Sequence, residues 1–233
     1  MHYDTRMKKR EIFSQIKIPT TAAVRIDGRG FGKALKQLDF QKPYDIRFTK
    51  AMADSTEEFF NKSGITPSLA FLFSDEINLV FYRDIPFNGR LEKIDSVIPS
   101  FFSSALVINL GSTKPLSFDS RVLIIDRYNI SEYLIWRQEE CWRNLMSSYA
   151  YYFLRDEGLN TRQAQERLSG LKAEELHELA WSHGTNLAQT PSWQRRGILI
   201  YKQRNRIIQD WEPPLFKKES GIQFIKYIIE NSM

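Results

Sequence analysis

The chain has 233 residues, 42% of them hydrophobic and 26% charged, with a formal net charge of +5. That length suits one large domain or a core with an appendage, and that apolar content excludes wholesale disorder. The single cysteine, Cys141, excludes an internal disulfide and a cysteine-cluster zinc site, and the basic surplus is compatible with an anionic partner without identifying one. No apolar run follows Met1-His2-Tyr3-Asp4-Thr5-Arg6, so a secretory signal is not expected. No run reaches membrane-spanning length, and the expected setting is the reducing cytoplasm.

Ala22-Ala23-Val24-Arg25-Ile26-Asp27 predicts a short buried strand, followed at once by Gly28-Arg29-Gly30-Phe31-Gly32. Asp45 suits a helix N-cap, and Phe48, Met52, Thr56 (or Ser55) and Phe59 then recur at helical spacing as far as Asn61. Gly64 and Pro67 punctuate the chain before two strands, 69–74 and 77–82, joined tightly at Asp75 and Glu76. Asn88-Gly89 marks a turn. A helix is predicted over 90–106, with Leu91, Ile94, Val97, Ile98 and Phe101 on one side and Pro99 expected to kink or interrupt it. A fourth strand is predicted over 117–126.

That order, strand-helix-strand-strand-helix-strand, predicts an α+β fold with a ferredoxin-like βαββαβ core. Right-handed crossovers place the first and third strands side by side in opposite directions. Asp27 and Asp75, distant in sequence, then meet at one edge of the sheet. Beyond residue 128 the pattern becomes mainly helical. A long amphipathic helix is predicted over 130–156, with Leu134, Cys141, Leu145, Tyr149 and Tyr152 on one stripe. Trp136, Glu140, Arg143 and Ser147 take the opposite face, flanked by Arg137 and Asn144. Shorter helices follow near 161–168 and 172–182, then a strand with basic ends over Arg195–Lys202, and a tail, 220–230, that reads as helix or strand.

Two strand-end carboxylates with a glycine-rich turn between them suggest a divalent metal holding a nucleoside triphosphate. Mg²⁺ prefers oxygen ligands and is often held by one or two carboxylates plus substrate phosphates. Asp27, Asp75 and the carbonyl of Gly28 supply such ligands, and paired ions about 3.5–4 Å apart suit phosphoryl displacement. Gly28, Gly30 and Gly32 lack Cβ atoms, so their amides can approach phosphate closely. Arg25, Arg29, Lys42, Lys93 and Arg121 are candidate neutralisers of its charge. No serine–histidine–acid grouping is readable, and the three histidines lack metal-ligand spacing. Plainer readings stand beside these. A glycine-rich turn also serves as a tight turn, and Asp-Glu between two strands also serves as hairpin chemistry. Arg137 and Arg143 also read as solvated charges, with Glu139 four residues before Arg143 as its partner. Trp136 reads as packing, Cys141 as core, and Arg195 and Arg196 as either an exposed edge or a phosphate contact.

The motifs Arg25-Ile26-Asp27-Gly28-Arg29-Gly30-Phe31, Lys42-Pro43-Tyr44-Asp45, Ser74-Asp75-Glu76, Phe118-Asp119-Ser120-Arg121 and Trp136-Arg137-Gln138 occur in the order and spacing of the tRNA-His guanylyltransferase family. The chain resembles those 3′-to-5′ RNA polymerases from about residue 5 to about residue 203. The resemblance implies a polymerase-palm core over 1–127 and a C-terminal region over 128–233 for tRNA and oligomer contacts. It implies two Mg²⁺ ions on Asp27, Gly28 and Asp75, with Asp27, Asp75 and Glu76 as the catalytic acids. It implies triphosphate contacts from Arg25, Asp27, Gly28, Arg29, Gly30, Phe31, Gly32, Ser74 and Asp75. Lys42 and Asp45 map to a second triphosphate region, and Lys93 and Arg121 sit at matching places. The candidates for holding tRNA are the helix 130–156, through Trp136, Arg137, Arg143 and Asn144, and the basic segment 195–206, through Arg195 and Arg196; for assembly the resemblance implies a homotetramer built as a dimer of dimers.

One departure bears on specificity. Eukaryotic members carry His-Ile-Asn-Asn where this chain has Trp142-Arg143-Asn144-Leu145, so only Asn144 matches. That places the chain nearer the guanylyltransferase-like proteins of archaea and bacteria. The expected function is ATP- or GTP-activated, template-dependent nucleotide addition to 5′-truncated tRNA. The alternatives are tRNA-His-specific guanylate addition, a palm-fold nucleotide cyclase or dinucleotide synthase, and a non-catalytic RNA-binding module.

Overall fold

The protein is described from a computed structural model covering residues 7–19 and 21–232. Residues 1–6, where the search for a secretory signal begins, lie outside the described residues, as do Thr20 and Met233. Strand β1 (Ala22–Gly28) leads through a one-turn helix α1 (Phe31–Ala34) to α2 (Ile46–Lys62). Strands β2 (Leu69–Phe73) and β3 (Glu76–Phe81) precede α3 (Leu91–Leu110) and β4 (Phe118–Ile124). Four helices follow: α4 (Ile130–Asp156), α5 (Thr161–Leu168), α6 (Ala173–Ser182) and α7 (Ser192–Arg196). A hairpin, β5 (Ile198–Gln203) and β6 (Arg206–Asp210), leads to the final helix α8 (Glu219–Asn231).

The six strands among the described residues form one antiparallel sheet in the order β4-β1-β3-β2-β5-β6. β1 and β3 are neighbours running in opposite directions, and Asp27 stands opposite Glu76 at their shared end. Alternation along each strand sends side chains to two cores. Val24, Ile26, Leu72, Ile77 and Leu79 pack under α2 and α3. Ala23, Phe71, Phe73 and Val80 pack against Tyr133, Leu134 and Cys141 of α4 and Ile225 and Ile228 of α8. Because β2 and β3 are covered on both sides, every one of their residues is buried.

Several expectations need correction. Pro99 does not interrupt α3, which runs from Leu91 to Leu110. Proline leaves the carbonyl four residues back without its helical donor, and here the Asp95 carbonyl accepts the Ser120 hydroxyl of β4 at 3.2 Å. Arg195 and Arg196 are not a strand: they close the short helix α7, and Gly197 at φ 73° turns the chain into β5. The strand expected within the mainly helical C-terminal region is β5, which pairs with β2 and extends the core sheet. The tail is a helix, α8. No helix among the described residues is long and apolar enough to cross a membrane.

Candidate active site

Asp27 sits near the end of β1, and Asp75 lies in the two-residue turn between β2 and β3. The Gly28 N–H donates to the Asp75 carbonyl at 3.1 Å, fastening that turn to the strand end. A Cβ on Gly28 would lie 2.7 Å from the Phe31 ring and 2.9 Å from Asp75 Oδ2. Glycine is therefore required by close approach: backbone, ring and carboxylate share one small space. Ser74, held at φ 51°, donates its hydroxyl to Asp75 Oδ1 at 3.2 Å. The Arg29 N–H donates to the Ser117 carbonyl at 2.9 Å, so the glycine-rich turn is pinned to the start of β4.

Burial pushes the Asp75 carboxyl up, and the charge of Asp27 pushes it the same way. Neither carboxylate has an ion-pair partner among the described residues. Two neighbouring carboxylates left without a cation suit a divalent ion, with the Gly28 carbonyl as the further oxygen. No group of three or more His, Cys, Asp or Glu side chains is placed to hold a metal among the described residues.

Glu76, expected as a third catalytic acid, is engaged elsewhere. Its oxygens accept Arg137 Nε at 2.9 Å and Arg137 Nη2 at 2.8 Å, and Asn78 Nδ2 reaches Oε1 at 2.8 Å. The Tyr133 hydroxyl donates to Asn78 Oδ1. Burial pushes the Glu76 carboxyl up, while Asn78 and Arg137 pull it back. Arg137 is itself only 3% exposed, so it is not a solvated charge; it fastens α4 to the strand that follows Asp75. Asn78 and Tyr133 were not anticipated. A polar residue inside the otherwise apolar run 77–81 was the available signal for Asn78, and the four-residue spacing of Tyr133 and Arg137 placed both on one side of α4.

A cleft of about 450 Å³ opens beside the Ser74-Asp75 turn. Gly32, Lys42, Asp45, Ser148 and Tyr152 complete the walls that matter here. Lys42 Nζ lies 5.8 Å from the centre of the Tyr152 ring. Phe31 is buried against Phe118 at 5.0 Å, so it contributes a cleft wall from within the core. Asp45 is buried as the N-cap of α2, accepting the N–H groups of Gln41 and Arg47 at 2.8 Å each. The Arg47 guanidinium also reaches it at 2.6 Å, and these donors hold its carboxyl well below the usual range. Asp45 therefore shapes the loop that carries Lys42.

Arg25 and Arg121 stand opposite one another on β1 and β4, on the face that carries Asp27. Lys93 does not join them. It lies on α3 two residues before Asp95, which accepts the Ser120 hydroxyl, and Ser120 faces the side of the sheet opposite Arg121. Trp136 is met by the guanidinium groups of Arg25 at 5.9 Å and Arg137 at 4.3 Å, which accounts for it as packing, although the ring stays 42% exposed. Arg143 pairs with Glu140, not Glu139, at 2.5 Å on the exposed face. Asn144 accepts the hydroxyls of Tyr44 at 3.4 Å and Ser148 at 3.0 Å. Arg195 donates to the Thr190 carbonyl at 2.7 Å and Arg196 to the Pro213 carbonyl at 3.5 Å, both beside a pocket of about 240 Å³.

Comparison with known proteins accords with this arrangement. The family model for tRNAHis guanylyltransferase matches residues 4–126, and that for the Thg1 C-terminal domain matches residues 128–224. The tRNA(His) guanylyltransferase of Schizosaccharomyces pombe is 31% identical over 216 residues, spanning 88% of this chain and 81% of that protein. Uncharacterized protein R259 of Acanthamoeba polyphaga mimivirus is 30% identical, over 85% of this chain and 76% of its own. A bacterial Thg1-like protein solved in complex with ATP superposes with a TM-score of 0.76 at 25% identity, covering 98% of this chain and 99% of that one. The Saccharomyces cerevisiae tRNA(His) guanylyltransferase superposes with a TM-score of 0.71 at 26% identity, over 87% and 93%. With both family models matched in sequence, the chain belongs to the tRNA(His) guanylyltransferase family and is a nucleotidyltransferase.

Proposed function

We propose that the protein extends tRNA at its 5′ end by template-dependent, 3′-to-5′ nucleotide addition, on a ferredoxin-like polymerase palm. The observation that carries this reading is the meeting of Asp27 and Asp75 beside a cleft that also holds Gly32 and Lys42. The strand order β4-β1-β3-β2 supports the palm assignment. In the first step a phosphate oxygen of the 5′-monophosphorylated tRNA attacks the α-phosphorus of ATP or GTP and pyrophosphate leaves. In the second, the 3′-hydroxyl of the incoming nucleotide attacks the activated 5′ phosphate and the nucleoside monophosphate leaves. Both are phosphoryl displacements, for which positioning and charge neutralisation dominate over covalent work by the protein.

The residues fit Mg²⁺. Asp27, Asp75 and the Gly28 carbonyl would hold it, and two bound ions would supply Lewis-acid stabilisation of the attacking and leaving oxygens. The chain's own part is orientation. The amides of the 28–32 turn approach phosphate, Lys42 supplies charge at the cleft wall, and Arg25 and Arg121 supply it on the sheet face. The departure at Trp142-Arg143-Asn144-Leu145 supports repair-type templated addition over obligate guanylate addition, since Asn144 is occupied by Tyr44 and Ser148. Arg143, Arg195 and Arg196 are the proposed tRNA contacts on the C-terminal region. A homotetramer is proposed as the working form, with exposed Ile12 and Phe13 among the apolar side chains such an assembly would cover. The proposed setting is the cytoplasm, where buried Cys141 stays reduced.

The test offers the protein labelled triphosphates with a tRNA lacking its first 5′ nucleotide, while the base opposite the gap is varied. Incorporation that follows Watson–Crick pairing is expected. Addition of guanylate whatever the opposing base would overturn the templated reading, and triphosphate turnover without RNA would indicate a cyclase.

A further inference from the structure

The tip of the β5–β6 hairpin carries a cluster of cations that the reaction site does not use. The hairpin closes in two residues, Arg204 and Asn205, because Gln203 already pairs with Arg206. Arg204 takes φ 54°, a conformation that favours glycine or asparagine in so tight a loop. Turn chemistry therefore does not account for an arginine there, and a strained residue in so exposed a place points to a role outside the fold. Lys202, Arg204 and Arg206 make no side-chain hydrogen bond or ion pair among the described residues. Arg143 and Arg162, by contrast, each pair with a glutamate.

These cations border a cavity of about 1040 Å³, which no acidic side chain among the described residues lines. Its wall on the α8 side includes Tyr227, a ring left 51% exposed. Unpaired cations beside an open aromatic face match the chemistry of a nucleotide chain: phosphates for the guanidinium groups and a base for the ring. An acidic peptide would use the charge and leave the ring idle. The site is remote from the reaction. β5 meets β2 near the cleft end at Ile198, paired with Leu72, and runs about 17 Å to Gln203 at about 3.3 Å per residue.

We propose that the β5–β6 tip and Tyr227 form an RNA-backbone anchor, which holds tRNA away from the 5′ end being extended. The inference rests on the tRNA reading above and adds a second, separate contact to it. Its test uses the full chain with 5′-truncated tRNA, comparing wild type with the double variant Arg204→Gln/Arg206→Gln and with Tyr227→Ala. Filter binding is followed from 50 to 200 mM KCl, and ATP KM and thermal midpoint are measured alongside. The double variant is expected to bind tRNA about tenfold more weakly, with the slope of log affinity against log salt flattened by about 0.7–0.9 per cation removed. Tyr227→Ala is expected to lose about tenfold in affinity with an unchanged salt slope, because stacking carries no counterion release. ATP KM and thermal midpoint stay at wild-type values.

Wild-type affinity and slope in the double variant would overturn the anchor. So would displacement of tRNA by polyglutamate as readily as by single-stranded RNA. A wild-type protein that binds tRNA but never extends it refutes the proposed reaction, and a flattened slope in the double variant would still establish the anchor.

Discussion

Replacing Arg137 by methionine should unmask the cost of Glu76. Arg137 is 3% exposed and Glu76 8%, and their two contacts of 2.8 and 2.9 Å make a bidentate pair out of contact with bulk water. Methionine retains apolar bulk against Trp136 and removes both donors. Taking one partner from a buried pair strands the other charge and costs about 3–5 kcal/mol, a large share of a typical stability of about 5–15 kcal/mol. The loss should depend on pH in a definite direction. Burial already raises the Glu76 carboxyl, and Arg137 is one of the groups that pull it back, so the variant raises it further. A raised folded-state value means that the stability contribution is complete at acid pH, where the carboxyl is protonated in both states. It is lost as pH climbs from the usual carboxylate range through the raised value.

Urea unfolding of Arg137→Met at pH 5 and pH 7, followed by far-ultraviolet circular dichroism, should therefore show a deficit that is larger at pH 7. Adding Glu76→Gln removes the stranded charge and should recover about 2–3 kcal/mol of it. A single variant as stable as wild type at pH 7, or a deficit that Glu76→Gln leaves untouched, would refute the reasoning. Because Glu76 directly follows Asp75, nucleotidyl transfer should fall in the single variant even at temperatures where it remains folded.

Asp75→Ala should keep its fold and lose on the order of 10³-fold in single-turnover rate, since it removes half of the carboxylate pair; a normal rate would end the metal-site reading. Gly28→Ala should cost about 1–3 kcal/mol in thermal or urea unfolding, because its Cβ would collide with Phe31 and Asp75 Oδ2. The same change should slow transfer, and wild-type values for both would show that the strand end has room to spare. Asp45→Ala should cost about 1 kcal/mol at pH 7 through loss of the α2 cap. Its carboxyl is depressed in the folded state, so the cap's contribution is present above the usual carboxylate range and lost as pH falls toward the lower folded value. The gap to wild type should then start to close below about pH 4, and a gap constant from pH 7 to pH 2 would be inconsistent with that cause.

How legible each part was follows from where its causes lie. β1 and the long α4 were readable because the buried run at Val24 and Ile26 and the stripe through Leu134, Cys141 and Leu145 are local patterns with a definite period. The meeting of Asp27 with the Asp75-Glu76 link followed from the handedness of crossovers, which needs no side-chain detail. Helix α7, five residues long, is too short to display a helical period, so Arg195 and Arg196 were absorbed into the strand that follows. β6 has only Ile207 and Ile208 between polar ends, and its strand state depends on β5 as partner. Arg137 was misplaced for a related reason: helical geometry put it at the flank of a face, while its partner Glu76 lies 61 residues away. Lys93 shows the limit of motif matching, which supplies a residue type and an order but no position in space.

The charge pattern on the exposed end of the sheet ties these parts to the proposed reaction. Pairing of β1 with β4 sets Asp27 opposite Asp119 and Arg25 opposite Arg121, two like-charged pairs in adjacent rows on one face. Like charges directly opposite one another across a ladder destabilise a sheet. Exchanging one member of each row would give two cross-strand ion pairs on the same backbone, so folding alone does not favour the arrangement found. It suits a ligand that carries both signs in fixed order, cationic against the Asp27 row and anionic against the Arg25 row. A triphosphate with its divalent ions has that distribution, and the cleft beside Asp75 adds Lys42 where the phosphate chain would continue.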